Sequence, residues 1–331
     1  MALPSSGQIA FSQLAAELGN ACSNISLRDY SACANLTSPD GISELYGKSC
    51  IPVYGAGTWS TGGALITARV YLAGAGTQNE GLVAGGYTNT SVACTEEYNG
   101  TSWSAGGALA NARYLLAGAG TQNEGLVAGG FSAGSKTCTE EYNGTSWSTG
   151  GALISLRNNL AGAGTQNAGI ASGGSINTYV SCTEEYNGTS WSAGGSLISA
   201  RQAIAGMGTQ NDSLIAGGNQ GTANTFLTCT EEYNGTSWSA AGALISARTA
   251  PIGAGTQNAG LVAGGCSNVN LTCTEEYNGT SWSSGGALAI ARYYSGGGGN
   301  QNQGLIIGGY TNANVSCTEE YNKSVTSVCL G

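Results

Sequence analysis

The sequence contains no histidine. Its absence removes the commonest general base and metal ligand, and with it every Ser-His-Asp or Cys-His pairing of nucleophile and base. Charge is scarce as well: Asp, Glu, Lys and Arg make up 9% of the 331 residues, with a net charge of −9. Seven Arg and three Lys, mostly isolated along the chain, give no basic footprint, so no nucleic-acid partner is expected. Three Asp in all leave no calcium loop. There is no run of 18 apolar residues, and the opening MALPSSGQIAFSQLAAELG lacks the basic and continuous apolar regions of a signal peptide. Neither membrane insertion nor ordinary export is expected, and the reading is of a protein that is not an enzyme and carries no cofactor or metal.

Glycine, at 56 residues, is what the chain has in excess. It shows no three-residue period, which excludes collagen, and recurring Trp, Leu, Ile and Val argue for a folded, turn-rich chain. Self-similarity accounts for the composition. Trp59, Trp103, Trp147, Trp191, Trp238 and Trp282 lie 44, 44, 44, 47 and 44 residues apart. Each is followed ten residues later by an arginine: Arg69, Arg113, Arg157, Arg201, Arg248 and Arg292. Six Gly-Gly pairs, from Gly85-Gly86 to Gly308-Gly309, and six copies of Cys-Thr-Glu-Glu-Tyr-Asn complete the register.

Within one unit the pattern predicts four short strands and no helix. YLLAGAG after Arg113 reads as the first strand, with a polar turn at Thr121-Gln122-Asn123. GLVAGG reads as a buried second strand, and KTCTEEY as a third. Asn143-Gly144 then suits a tight type I′ hairpin into a fourth strand bearing Trp147. Four strands repeated six times predict an all-β, six-bladed propeller. Six inner strands converging on one axis explain the Ala-Gly-Ala-Gly run, since glycine inside a strand otherwise costs about 0.5–1 kcal/mol. Trp59 precedes the first complete set of strands and the last set has no Trp, so the strand around Trp59 is expected to close the sixth blade. The tail, Ser324–Leu330, either adds a strand or packs outside.

Gly-Gly, a Tyr on the third strand, Trp, and Arg ten residues on: this order over about residues 51–322 resembles the kelch motif, from which the chain departs in its Ala/Gly content and its Cys-Thr-Glu-Glu. The resemblance implies a kelch-like propeller. A copper-oxidase use of such a propeller would need imidazole ligands, which are missing.

Residues 1–50 differ in composition and are expected to form a separate segment ahead of a propeller spanning 51–331. Ser38-Pro39-Asp40 is a helix start, with Ser as cap and Pro at the first position, and Gly47 ends it. Phe11–Leu18 and Ser26–Ala34 are further short-helix candidates. Ser6-Gly7-Gln8-Ile9, Glu17-Leu18-Gly19, Asn24-Ile25-Ser26-Leu27-Arg28 and Ile42-Ser43-Glu44-Leu45-Tyr46-Gly47 resemble a leader of phage structural proteins, tail-fibre and appendage proteins among them. That resemblance covers residues 1–48. It implies attachment to other virion proteins, localisation in the virion, and a propeller presented to a host-surface glycan or protein. Fibre proteins are often trimers, although no heptad is present here. A lectin-like, multivalent carbohydrate-binding propeller outside any virion is the alternative.

Of the eleven Cys, six (Cys94, Cys138, Cys182, Cys229, Cys273, Cys317) hold one repeat position and are read as small buried hydrophobes. Cys50 and Cys329 flank the repeats and are a candidate pair. The two glutamates of each Glu-Glu, such as Glu96-Glu97 and Glu140-Glu141, point to opposite faces of a strand. They therefore do not converge as an acid/base pair, and one of each is a candidate partner for a repeat arginine. Gly-Ala-Gly-Thr-Gln-Asn lacks the Lys and the helix of a phosphate loop and is read as a hairpin turn. Asn-Gly-Thr is likewise read as turn chemistry.

Differences between repeats concentrate at 87–92, 131–136, 175–180, 219–227, 266–271 and 310–315, and in the three residues after each Arg. In an up-and-down blade these share one side of the disc, which predicts one variable and one constant face. Loops on a rigid scaffold are where recognition is normally placed. Candidate ligand contacts are Tyr87, Thr88 and Asn89 in the first loop and Phe131 and Ser132 in the second. Asn219, Gln220, Asn224 and Phe226 in the fourth, and Tyr310 and Asn312 in the sixth, complete the set.

Overall fold

The computed structural model describes residues 51–221 and 225–328. The chain divides into two compact units, residues 58–322 and residues 1–57 with 323–331. The candidate helices of the first fifty residues and the Cys50–Cys329 pair lie outside the described residues.

Residues 58–322 carry the propeller. The first blade has an inner strand Ala73–Gly76, a second strand Gly81–Ala84, a third Thr95–Tyr98 and an outer strand Trp103–Gly106, antiparallel and in chain order. The next four blades repeat it. In the sixth, Gly296–Gly299, Gln303–Ile307 and Thr318–Val328 are followed by Ile51–Thr61 as the outer strand, so the strand bearing Trp59 closes the ring as expected. Tail residues up to Val328 continue the third strand of that blade. The result is a six-bladed β-propeller of four-stranded blades, with no helix among the described residues.

Close approach at the axis dictates the inner strands. A Cβ on Gly118 would fall 2.5 Å from the Gly74 carbonyl oxygen, one on Gly162 2.6 Å from that of Gly118, and one on Gly74 2.4 Å from the Gly297 nitrogen. The second strands behind them are buried at all four positions of GLVA and its equivalents.

Neighbouring blades are joined by hydrogen bonds from three side chains, repeated around the ring. Trp147 Nε1 donates to Thr95 Oγ1 of the preceding blade at 2.9 Å. The Tyr142 hydroxyl donates to Glu97 Oε1 at 2.5 Å, and Gln122 Nε2 donates to the Gly81 and Tyr98 carbonyls at 3.0 and 2.7 Å. At the closing junction the same bonds run from Trp103 to Thr318, Tyr98 to Glu320, and Gln78 to the carbonyls of Gly304 and Tyr321. Trp59 in turn donates to Thr274 and lies 5.0 Å from the Tyr321 ring.

Three expectations need correction. The repeat cysteines are half-buried, and Cys229 is exposed. Their sulfurs sit against the arginines, as where Arg157 Nη1 reaches Cys182 Sγ at 3.0 Å, so the position is partly polar. The Asn-Gly turn is not type I′: only the glycine is left-handed (Gly100, φ +87), and Asn99 Oδ1 accepts the Thr101 and Ser102 amides in a four-residue loop. The first strand is shorter than YLLAGAG, covering only Ala117–Gly120, because Leu115 turns left-handed.

Two outcomes follow. Gly296 stands where the first two blades have Ala73 and Ala117, and a Cβ there meets nothing closer than 3.4 Å. Gly296→Ala should therefore raise stability by about 0.5–1 kcal/mol, whereas Gly118→Ala should lower it by about 2–3 kcal/mol through overpacking, both read as urea midpoints. The Tyr98, Tyr142, Tyr186 and Tyr277 phenols are pushed up to about 12, first by burial and next by the hydrogen bond each donates to a glutamate. A raised phenol pKa favours the neutral, folded form. Its contribution is complete below the ordinary value near 10 and is lost as pH rises through about 12. Circular dichroism should show a stable protein to about pH 10 and cooperative unfolding between there and about pH 12.

Candidate functional site

The variable face is built on six arginines. Each is fully buried and paired with the first glutamate of its own blade: Arg69–Glu96 and Arg157–Glu184 at 3.1 Å, Arg201–Glu231 at 2.9 Å and Arg292–Glu319 at 2.8 Å, with Arg113–Glu140 and Arg248–Glu275 closer still. The other carboxylate oxygen accepts a backbone amide three residues before the arginine, as Glu96 does from Ile66 at 2.7 Å. Burial lowers the pKa of Arg69, Arg157, Arg201 and Arg292, and the adjacent cysteine and glutamate oppose that shift. Glu97, next along the strand, turns to the neighbouring blade's Tyr142, so the paired carboxylates diverge as expected.

From this anchor the chain places two further residues per blade. The one after each arginine pairs antiparallel with the one after the Gly-Gly pair: Val70 with Tyr87, Tyr114 with Phe131, Asn158 with Ser175, Gln202 with Asn219, Thr249 with Cys266, Tyr293 with Tyr310. The second residue after the arginine is left-handed in every blade: Tyr71, Leu115, Asn159, Ala203, Ala250 and Tyr294, with φ between 52 and 60. Their backbones form a closed ring about the axis. Leu115 N–H donates to Tyr71 C=O at 2.9 Å, Asn159 to Leu115, Ala203 to Asn159, Ala250 to Ala203, Tyr294 to Ala250, and Tyr71 to Tyr294 at 3.0 Å. The ring borders an axial hollow of about 100 Å³.

The side chains on this scaffold divide the face in two. Blades three to five carry Asn, Ser, Gln, Ala, Thr and Cys at these positions. Blades six, one and two carry a continuous run of rings: Phe131 on Tyr114 (5.5 Å), Tyr114 on Tyr87 and Tyr71 (5.1 and 5.7 Å), Tyr71 edge-on to Tyr294 (4.5 Å), and Tyr294, Tyr293 and Tyr310 in succession (5.3 and 5.7 Å). Between the first and sixth blades the run opens into a cleft of about 680 Å³ lined by Tyr71, Tyr87, Thr88, Asn89, Tyr293, Tyr310 and Asn314, with Ala68, Val70 and Ala313. Among the described residues no charged side chain lines it. Burial raises the phenol pKa of Tyr71 to about 12 and moves that of Tyr293 the same way, so both remain neutral donors.

The structure thus brings Tyr87, Thr88, Asn89 and Tyr310 together and leaves the other candidates elsewhere. Asn312 is exposed on the same loop as Tyr310 but outside the cleft lining. Phe131 joins through Tyr114, while Ser132 belongs to a turn whose amide bonds to Gly134. Asn219, Gln220 and Phe226 form a short hairpin in the fourth blade, where Asn219 is nearly buried and accepts from Thr249 Oγ1. Asn224 lies outside the described residues. Beside Gln220 is a second hollow of about 570 Å³ with one aromatic, Tyr179. The six Trp of the repeat lie at the blade junctions and the six Arg in the buried ion pairs. Tyr71, Tyr114, Tyr293, Tyr294 and Asn314 were not among the candidates. The signal for the four tyrosines was the variability just after each arginine.

Among the described residues no group of three His, Cys, Asp or Glu could hold a metal. Chemically the cleft offers rings, hydroxyls and amides, a set suited to binding. Removing one member of a buried ion pair strands the other, so Glu184→Ala should cost about 3–5 kcal/mol, measured by chemical denaturation. Compared with known proteins, the chain matches no protein-family model, and no curated protein is significantly similar to it.

Proposed function

We propose that this protein is a non-enzymatic phage virion structural protein, a tail fibre or other appendage, whose kelch-like propeller is presented for host-surface adhesion or decoration while residues 1–48 attach it to other virion proteins. The observation that carries the adhesive part is the contrast between faces. One face is made of the repeated Thr-Gln-Asn and Asn-Gly-Thr-Ser turns, whose Gln side chains are committed to neighbouring blades. The other carries variable loops and, in three blades, a contiguous run of aromatic rings beside an uncharged cleft. Half-buried rings of this kind on a rigid scaffold are typical of recognition sites. The virion part rests on the resemblance of the N-terminal segment.

A lectin-like reading with one sugar site in every blade is less favoured, because the aromatic positions of blades six, one and two hold Asn, Ser, Gln, Ala, Thr or Cys in the other three. Antibodies raised against the full chain should decorate intact phage particles in electron micrographs, and particles lacking the chain would overturn the virion assignment. Labelled full-length protein should bind host bacteria, and Tyr87→Ala with Tyr310→Ala should reduce that binding at least tenfold, an effect of about 1.4 kcal/mol or more. Unchanged binding would remove the variable face from the proposal.

A further inference from the structure

We infer that the cleft between the first and sixth blades is a single binding site for a neutral saccharide. The inference rests on the reading of the variable face as the adhesive one and names its ligand. Tyr71, Tyr87, Tyr293 and Tyr310 present half-buried rings around one opening. An aromatic face accepts the C–H face of a sugar ring, and a phenol hydroxyl can both donate to and accept from its hydroxyls. Thr88 and exposed Asn89 add a hydroxyl and an amide, each able to donate and accept, which matches a polyol. Among the described residues the lining holds no Lys, Arg, Asp or Glu. A phosphate, sialic acid, sulfated sugar or charged peptide would therefore enter without a counter-charge.

The walls are held before any ligand arrives. Asn314 Nδ2, on the sixth-blade loop, donates to the carbonyls of both Tyr87 and Thr88 on the first-blade loop, at 3.1 and 2.9 Å. The first-blade loop is closed on itself by Thr88 N–H to Thr90 C=O and Val92 N–H to Gly86 C=O, and the sixth by Thr311 N–H to Ala313 C=O. A cleft of about 680 Å³ is in the range of small-ligand sites, and preorganised walls reduce the ordering that binding would otherwise require. The hollow by Tyr179 has no second ring facing that one among the described residues.

The test is a glycan array carrying neutral, sialylated and sulfated oligosaccharides, probed with the full-length chain and followed by calorimetry on the best neutral hit. Binding confined to neutral glycans is expected, with one site per chain. Tyr310→Ala and Asn89→Ala should each weaken it at least tenfold, and Tyr310→Phe less. Ala313→Trp, which removes no contact and fills the cleft from its rim, should abolish binding while leaving the circular dichroism spectrum unchanged. Binding that survives Ala313→Trp, or that is restricted to acidic glycans, overturns the inference. If no glycan binds but the chain adheres to host cells and Ala313→Trp prevents it, the cleft serves a protein ligand and the saccharide inference fails while the adhesive reading stands. If neither glycan nor cell is bound, both fall together.

Discussion

The buried arginine–glutamate pair is the interaction on which the propeller's variable face depends. Two opposite charges in a desolvated site stabilise little by themselves, because the loss of water nearly cancels their attraction. What the pair contributes here is position. Each carboxylate bonds the guanidinium with one oxygen and the amide three residues before the arginine with the other, so the incoming connection is fixed to its own third strand. The arginine's carbonyl in turn accepts the second Gly-Gly amide of the preceding blade, as Arg113 does from Gly86 at 2.9 Å. One residue thereby sets the path within a blade and the join between two.

Everything on the variable face follows from that placement. With the arginine fixed, the next residue must pair with the one after Gly-Gly, and the one after that must turn left-handed to reach its neighbour's carbonyl around the axis. A non-glycine residue in that conformation costs about 1–2 kcal/mol, which the ring of six hydrogen bonds offsets in part. Glycine would remove the cost, and this chain uses glycine freely elsewhere. Keeping Tyr71, Leu115, Asn159 and Tyr294 there preserves side chains around the axial mouth, next to the positions that differ most between repeats. Strain retained where side chains vary supports the proposed reading of this face.

The architecture was legible because it is periodic. Trp spacing gave the blades, Gly-Ala runs the crowded axis, and the unpaired Trp59 the closure, while strand alternation separated Glu96 from Glu97. The division into constant and variable faces followed from where the repeats differ, placed on the topology of an up-and-down blade. The cleft was only half legible, for a reason that is equally physical. Reading one repeat at a time finds Tyr87 and Tyr310 as loop residues, but their meeting requires the first and last blades to be neighbours. Tyr71 and Tyr294 are sequence-remote and touch only because the axial ring brings them together. The cysteines were misread because nothing local shows that an arginine lies against the sulfur. The Asn-Gly loop was misread because the asparagine side chain, bonding two amides downstream, selects a longer turn than the dipeptide suggests.

The same accounting of side chains explains why specialisation has one place to go. Gln and Trp are held at every junction between blades, Tyr and Thr are their partners or neighbours, and both glutamates are engaged, so substitution at any of these positions loosens the ring at a defined joint. The loops after Gly-Gly and the residues after each arginine carry no such repeated duty. They are free to differ from blade to blade, and here they have done so unequally. That the aromatic half falls across the first and last blades is mechanically sound. The closing junction has the same Trp, Tyr and Gln bonds as the other five, and Asn314 ties its two loops together as Asn270 ties those of the fifth and sixth blades. Walls bonded to each other in that way need less ordering to receive a ligand of the kind proposed.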